Sequence, residues 1–213
     1  MGENARLQGD FAPAAAYYEE ALEIARETSN RTHENVFLSN LDGMRLRLGY
    51  FEEAAEDLEE LIARTQVDWY GASEAYRFLA EAYLGSGKMA GALEMAQQAL
   101  ALAQAASKVE CGRAWRVLGY IAAQSGEALQ SSVEEKTAYG AAECFCRSND
   151  CFSALDLQRD RAITLWRWAQ YELAEGDEAK GEEMWQEARA IFERIHLPLF
   201  VARMEPAVSP APL

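Results

Sequence analysis

The sequence predicts an all-α solenoid of stacked helical hairpins, and three observations carry that prediction. Glycine recurs at Gly9, Gly49, Gly87 and Gly126, at intervals of 40, 38 and 39 residues, and Gly176 follows after a further 50. Each of these glycines precedes a segment whose small and aromatic residues keep the same offsets. Half of the 213 residues are hydrophobic, only five are proline and β-branched runs are few, which favours helix throughout. A near-constant period of this length belongs to stacked supersecondary units rather than to one globular core.

The segment from Glu34 to Thr65 shows the unit. Val36, Phe37, Leu38, Leu41, Leu46 and Leu48 precede Gly49 at helical spacing, and Phe51, Ala54, Ala55, Leu58, Leu61 and Ile62 follow it in the same way. The glycine marks where the first helix ends, because a residue without Cβ adopts the left-handed conformation that closes a helix tightly. Two antiparallel helices result. Along the chain the pattern gives about four and a half units, near 1–29, 33–66, 71–107, 110–158 and 160–196, with an insertion at 127–140 and a capping segment and Pro-rich tail at 197–213. Small residues such as Ala14, Ala54 and Ala92 let the helices of a unit approach closely, while larger ones fill the gap to the next unit.

These residues resemble the tetratricopeptide repeat. Gly-Asp-Phe at 9–11 with Ala14, Tyr18 and Ala21 is similar to that family's turn and second helix, as is Gly-Tyr-Phe at 49–51 with Ala54 and Leu58. The third unit matches through Leu79, Ala80, Tyr83, Gly87, Met89, Ala92, Ala96 and Ala99, and the fourth through Trp115, Leu118, Gly119, Ala122 and Gly126. In the fifth, Trp168, Ala169, Gly176, Trp185 and Ala188 fit, but Glu172 stands where an aromatic residue or alanine is usual. The resemblance covers roughly residues 1–196 and implies a right-handed α-α superhelix whose first helices line a concave, peptide-holding groove. The period, with Tyr-Glu-Glu-Ala-Leu-Glu-Ile-Ala-Arg-Glu at 18–27, looks most like the C-terminal repeat arms of bacterial STAND-type signalling ATPases, nucleotide cyclases and related regulators. That likeness implies a non-catalytic sensor or interaction arm. The alternatives are a free-standing adaptor or co-chaperone, or an oligomerisation module.

Two departures stand out. Counting back from Gly9, Met1 and Gly2 fall in the middle of a first helix, so the chain is expected to be the C-terminal fragment of a longer protein. After Gly126, roughly ten additional residues within Glu127–Gly140, including Ser131, Ser132 and Glu134–Lys136, interrupt the fourth unit before Ala141, Ala142, Phe145, Ser148 and Phe152 resume it. This reads as a surface loop. Leu199, Phe200, Val201 and Met204 are placed to cover the last unit, and the tail beyond Pro206 reads as disordered.

Charge and chemistry narrow the function. A net charge of −15 and a pI near 4.6 oppose non-specific approach to nucleic acid or anionic lipid. No apolar run approaches the ~20 residues of a membrane span and no signal peptide is visible, so a cytoplasmic location is expected. Cys111, Cys144, Cys146 and Cys151 lack zinc or redox spacing, and only His33 and His196 are present, so reduced gap-filling thiols are expected and neither metal nor cofactor. Gly85-Ser86-Gly87-Lys88 mimics a phosphate loop but has Ala82 where the earlier glycine belongs and Met89 where the hydroxyl belongs. Glu52–Glu53, Glu59–Glu60 and Glu182–Glu183 read as solvated helix faces. No serine or cysteine has a histidine to activate it, so no enzyme is expected. Trp168 and Trp185 read as core, whereas Trp166 is open to either role.

Carrying the register forward from each turn glycine places Ser39, Asn40, Gly43 and Arg47 on the groove side of the second unit, and Glu74, Arg77 and Glu81 on that of the third. Arg113, Arg116 and Tyr120 follow from the fourth, and Trp166, Arg167 and Gln170 from the fifth. Five arginines against two glutamates suit an acidic segment or a C-terminal carboxylate, with Arg113 and Arg116 as anchors and Trp166 or Tyr120 as apolar contact. The competing account pairs these arginines with neighbouring glutamates, as Arg77 with Glu74 and Glu81. The partner is then a protein or peptide, or the missing N-terminal part of the same chain. Only Asn40 coincides with the carboxylate clamp of chaperone-binding members of the family; Glu3, Glu74 and Phe78 occupy other clamp positions and speak against chaperone tails.

Overall fold

In the computed structural model, residues 1–65, 69–130 and 138–204 are described. They form the helices α1 (Gly2–Gln8), α2 (Phe11–Glu27), α3 (Arg31–Leu48), α4 (Phe51–Thr65), α5 (Ala72–Gly85), α6 (Met89–Ala106), α7 (Lys108–Ser125), α8 (Ala141–Ala154), α9 (Gln158–Glu175), α10 (Glu178–Arg194) and α11 (Pro198–Arg203). The two short strands β1 (Leu129–Gln130) and β2 (Ala138–Tyr139) lie between α7 and α8. The chain divides into a unit of Met1–Met95 and a second that begins at Ala96, the boundary falling within α6.

The helix ends show why the chain folds back at regular intervals. Gly9, Gly49, Gly87 and Gly126 all have positive φ, between 68° and 89°. After Gly49 the Tyr50 N–H donates to the Arg45 carbonyl at 3.0 Å, and Asp10 to Ala5 and Lys88 to Tyr83 repeat that bond at 2.9 and 2.8 Å. These bonds satisfy carbonyls that a helix end leaves open. Three second helices close in the same way without glycine. Ser29, Asp156 and His196 have φ of 53°, 52° and 58°, and the following residue donates back to Ala25, Phe152 and Phe192. The register had no glycine to mark these turns.

In the first unit, α1 through α5 pack as successive antiparallel hairpins around Ala14, Tyr18, Leu22, Leu41, Leu46, Ala54, Leu58 and Leu61, with Phe78 and Leu79 from α5. In the second unit the core gathers Trp115, Leu118 and Ile121 of α7, Phe145 and Phe152 of α8, Leu165 and Trp168 of α9, and Ile191 and Phe192 of α10. Phe200 of α11 stacks on Phe192 at 5.0 Å, and buried Met204 closes this end. Trp166 is also core, 7 % exposed, whereas Trp185 is only half-buried beside Arg189, against the core role the sequence suggests for it.

The insertion is more ordered at its ends than the surface-loop expectation. Leu129 pairs with Tyr139 and Gln130 with Ala138 in a two-rung antiparallel stem. Tyr139 is buried edge-on against Trp115 at 5.1 Å, and the Arg147 guanidinium lies over both rings at 4.4 and 4.9 Å. Gln97 of α6 donates to the Gln130 carbonyl at 2.8 Å. Ser131, Ser132, Glu134–Lys136 and the tail from residue 205 lie outside the described residues.

Candidate functional site

The first helices carry the residues that the register assigns to a groove. In the first unit, α3 presents Asn40 and Arg47, both half-buried. Arg47 donates to Glu81 on α5 at 2.6 Å, and Glu81 also receives Arg77 at 2.9 Å. Arg77 is 3 % exposed, bonds Glu74 at 3.1 Å and lies over the Phe78 ring at 4.1 Å. Two arginines and two glutamates thus interlock along α3 and α5, the pairing that the spacing of Glu74, Arg77 and Glu81 allows.

In the second unit a different arrangement joins α7 to α9. Asp160, buried near the start of α9, receives Arg113 Nε at 3.3 Å and Arg159 Nη2 at 3.0 Å, with Arg116 at 3.7 Å. Burial alone raises its carboxyl, but Arg113, Arg116 and Arg159 outweigh that and hold it far below the usual carboxylate range. Arg116 is 7 % exposed and donates to the Asp160 carbonyl and to Thr164 Oγ1 at 3.2 and 3.3 Å, while Ser148 of α8 meets the same hydroxyl at 3.0 Å. It therefore ties three helices together. Arg113 remains half-buried and also bonds Glu110 at 2.7 Å.

Further along the same helices, Tyr120, half-buried, lies edge-on to Phe145 at 5.7 Å. Trp166 packs edge-on to Phe192 at 6.5 Å, under the Arg167 guanidinium at 4.5 Å, and Arg167 bonds Gln170 at 2.9 Å. Of the aromatic residues assigned to this side, Tyr120 is half-buried and Trp166 is buried. Asp160 escaped the sequence register because its partners on α7 lie 44 to 47 residues away, and Arg159 because the residue it bonds is Asp160 itself. Their visible signal was a charged Arg-Asp-Arg run, 159–161, opening a helix whose preceding unit is rich in arginine.

Elsewhere, Cys144 is buried, and burial pushes its thiol up to about 12, but Cys111 and Cys151 are half-buried and Cys146 is exposed, so the gap-filling expectation does not hold for all four. Among the described residues no group of three or more His, Cys, Asp or Glu is placed to hold a metal ion, and no helix is long and apolar enough to cross a membrane.

Residues 2–35 match the sequence model of the tetratricopeptide repeat. The structure of BtubC (BKLC) from P. vanneervenii superimposes with a TM-score of 0.63 at 19 % identity, over 91 % of this chain and 79 % of that one. The fold is that of a tetratricopeptide repeat solenoid. A putative kinesin light chain with nearly identical TPR-like repeats from Podosopora anserina matches at a TM-score of 0.50 and 18 % identity, over 92 % of each chain. MamA matches at the same score and identity over 92 % of this chain and 96 % of that one. No curated protein shows a significant sequence match. The residues that the register assigns to a groove lie on α3, α5, α7 and α9, and their chemistry differs: an interlocked neutral set on α3 and α5, and an arginine-rich set on α7 and α9.

Proposed function

We propose that the chain is a protein-interaction arm, the sensor or regulatory part of a larger bacterial signalling protein, which holds a peptide or protein segment against its first helices. The observation that supports this is the set on α7 and α9, where half-buried Arg113, Arg159 and Arg167 share one unit with half-buried Tyr120. Guanidinium groups grip carboxylates bidentately and stack on aromatic rings, so an acidic segment or a C-terminal carboxylate fits that set. Arg116 and Trp166 support this face from beneath. In the first unit Arg47 and Arg77 are both engaged with Glu81, and Asn40 is half-buried.

The test is capture from host lysate by the native chain and by an Arg113→Glu, Arg167→Glu, Tyr120→Ala variant, after circular dichroism shows both equally helical. A protein retained by the first and lost by the second supports a trans-acting site. Equal retention by both removes the first-helix face from the account. A mass that rises with concentration in sedimentation would instead support an oligomerisation module.

A further inference from the structure

Seven residues before four of the five turn glycines the chain places a small residue: Gly2, Ala80, Gly119 and Ala169, all buried. Ahead of Gly49 that position holds Asp42, which is 0 % exposed. Its Oδ1 accepts from Arg45 at 2.9 Å, but its Oδ2 is buried with no hydrogen-bond partner among the described residues, as is the hydroxyl of Ser39 one turn earlier. Arg45 is not committed to Asp42, because the same Nη1 donates to Asp57 on α4 at 2.6 Å. One half-exposed guanidinium thus serves two carboxylates, and the buried one is half satisfied.

We propose that Asp42 is a pH-sensitive joint in the α3–α4 hairpin, closed while its carboxyl is uncharged and loosened when it ionises. A neutral carboxyl at a close helix contact carries a modest penalty, whereas an anion there lacks the two or three donors that make burial tolerable. The surroundings do not supply them. From α4 the facing charge is Asp57, of the same sign, on a helix whose outer side carries Glu52, Glu53, Glu56, Glu59 and Glu60. The α2 residues buried beside α3 are Ala14, Leu22, Ala25 and Tyr18, whose phenol is bonded to Glu3 and pushed up to about 12. From α5 come Arg77 and Glu81, bonded to each other and, through Glu81, to Arg47. Burial first and Asp57 second push the Asp42 carboxyl up to about 8, Arg45 offsetting part of the rise. A folded-state value above that of the free side chain means stability fully present below about pH 4 and progressively lost toward pH 8.

The experiment is a titration of the native chain by carboxyl-carbon NMR, with amide hydrogen exchange in α3 and α4 compared with Asp42→Asn at each pH. The expected midpoint for Asp42 lies near 8, and native exchange relative to the variant rises by up to about tenfold per pH unit between 5 and 8, then levels off. Asp57→Asn, which removes the like charge, is expected to move the midpoint down. A midpoint near 4, or an exchange ratio that does not change with pH, overturns the proposal. If Asp42→Asn does not fold, the NMR midpoint of the native chain decides alone.

Discussion

Trp168 donates its indole N–H to Glu172, one turn further along α9, at 2.8 Å. The same carboxylate accepts the Asp177 N–H at 3.0 Å and Lys180 Nζ at 2.6 Å, so it bridges from the end of α9 to the start of α10. A Cβ on Gly176 would collide with its Oε2. This turn is also the one whose glycine is not left-handed, with φ −120° and ψ −130°. Glu172 thus takes over the closing role that a glycine conformation performs elsewhere, which accounts for a residue that looks out of place in the repeat.

Glu172→Gln is therefore expected to cost about 1.5–3 kcal/mol at neutral pH, the range for hydrogen bonds to a charged group. Burial raises this carboxyl, but Lys180, the Asp177 amide and Trp168 together lower it below the ordinary value. A lowered folded-state value means stabilisation present above about pH 4 and lost as the pH falls through it. Urea unfolding at pH 7 and pH 3 checks this, and a variant penalty that stays constant across the two would contradict the account.

The left-handed residues Ser29, Asp156 and His196 each carry a conformational cost that glycine avoids. Replacing each by glycine is expected to stabilise by about 0.5–1 kcal/mol after the loss of unfolded-chain entropy, with Asp156 gaining least because aspartate tolerates this region. Melting temperatures of the three single variants and the triple variant measure it, and additivity is expected because the turns are separate.

Asp160→Asn leaves Arg113, Arg116 and Arg159 around a neutral amide. Removing one side of a buried charge cluster is expected to cost about 3 kcal/mol, whereas Arg161→Gln, which breaks the exposed pair with Glu187, should cost less than about 1 kcal/mol. Equal penalties for the two variants would remove the distinction between keystone and ornament.

Tyr139→Ala strips the ring that covers Trp115 and should cost about 3 kcal/mol locally, by the loss of a buried aromatic. Limited proteolysis between α7 and α8 is expected to accelerate while helicity at 222 nm stays unchanged. Unchanged cleavage would mean that the stem holds without its aromatic contact.

Gly9, Gly49, Gly87 and Gly126 were legible because left-handed closure favours glycine, whereas the turns at Ser29, Asp156 and His196 close the same way without that marker; helical spacing around the glycines assigned the faces of α3, α5, α7 and α9. Depth was not legible. Arg116 and Trp166 share a face with Arg113 and Arg167, yet they are the buried members of each pair, because neighbours on α8, α9 and α10 decide how far each side chain sinks. Asp42 was within reach of the register: seven residues before Gly49 is a position where every other unit has glycine or alanine. The stem at Leu129 and Tyr139 was not, since two residues per strand leave no alternation to read.

The pairing of Leu129 with Tyr139 holds the two ends of the insertion about 5 Å apart, the separation of opposed residues in an antiparallel pair. A segment spliced between Gln130 and Ala138 thus leaves and re-enters at neighbouring points of the stem. The fourth repeat is therefore where a tag, a reporter or a second recognition loop is expected to be grafted at least cost to the repeats around it.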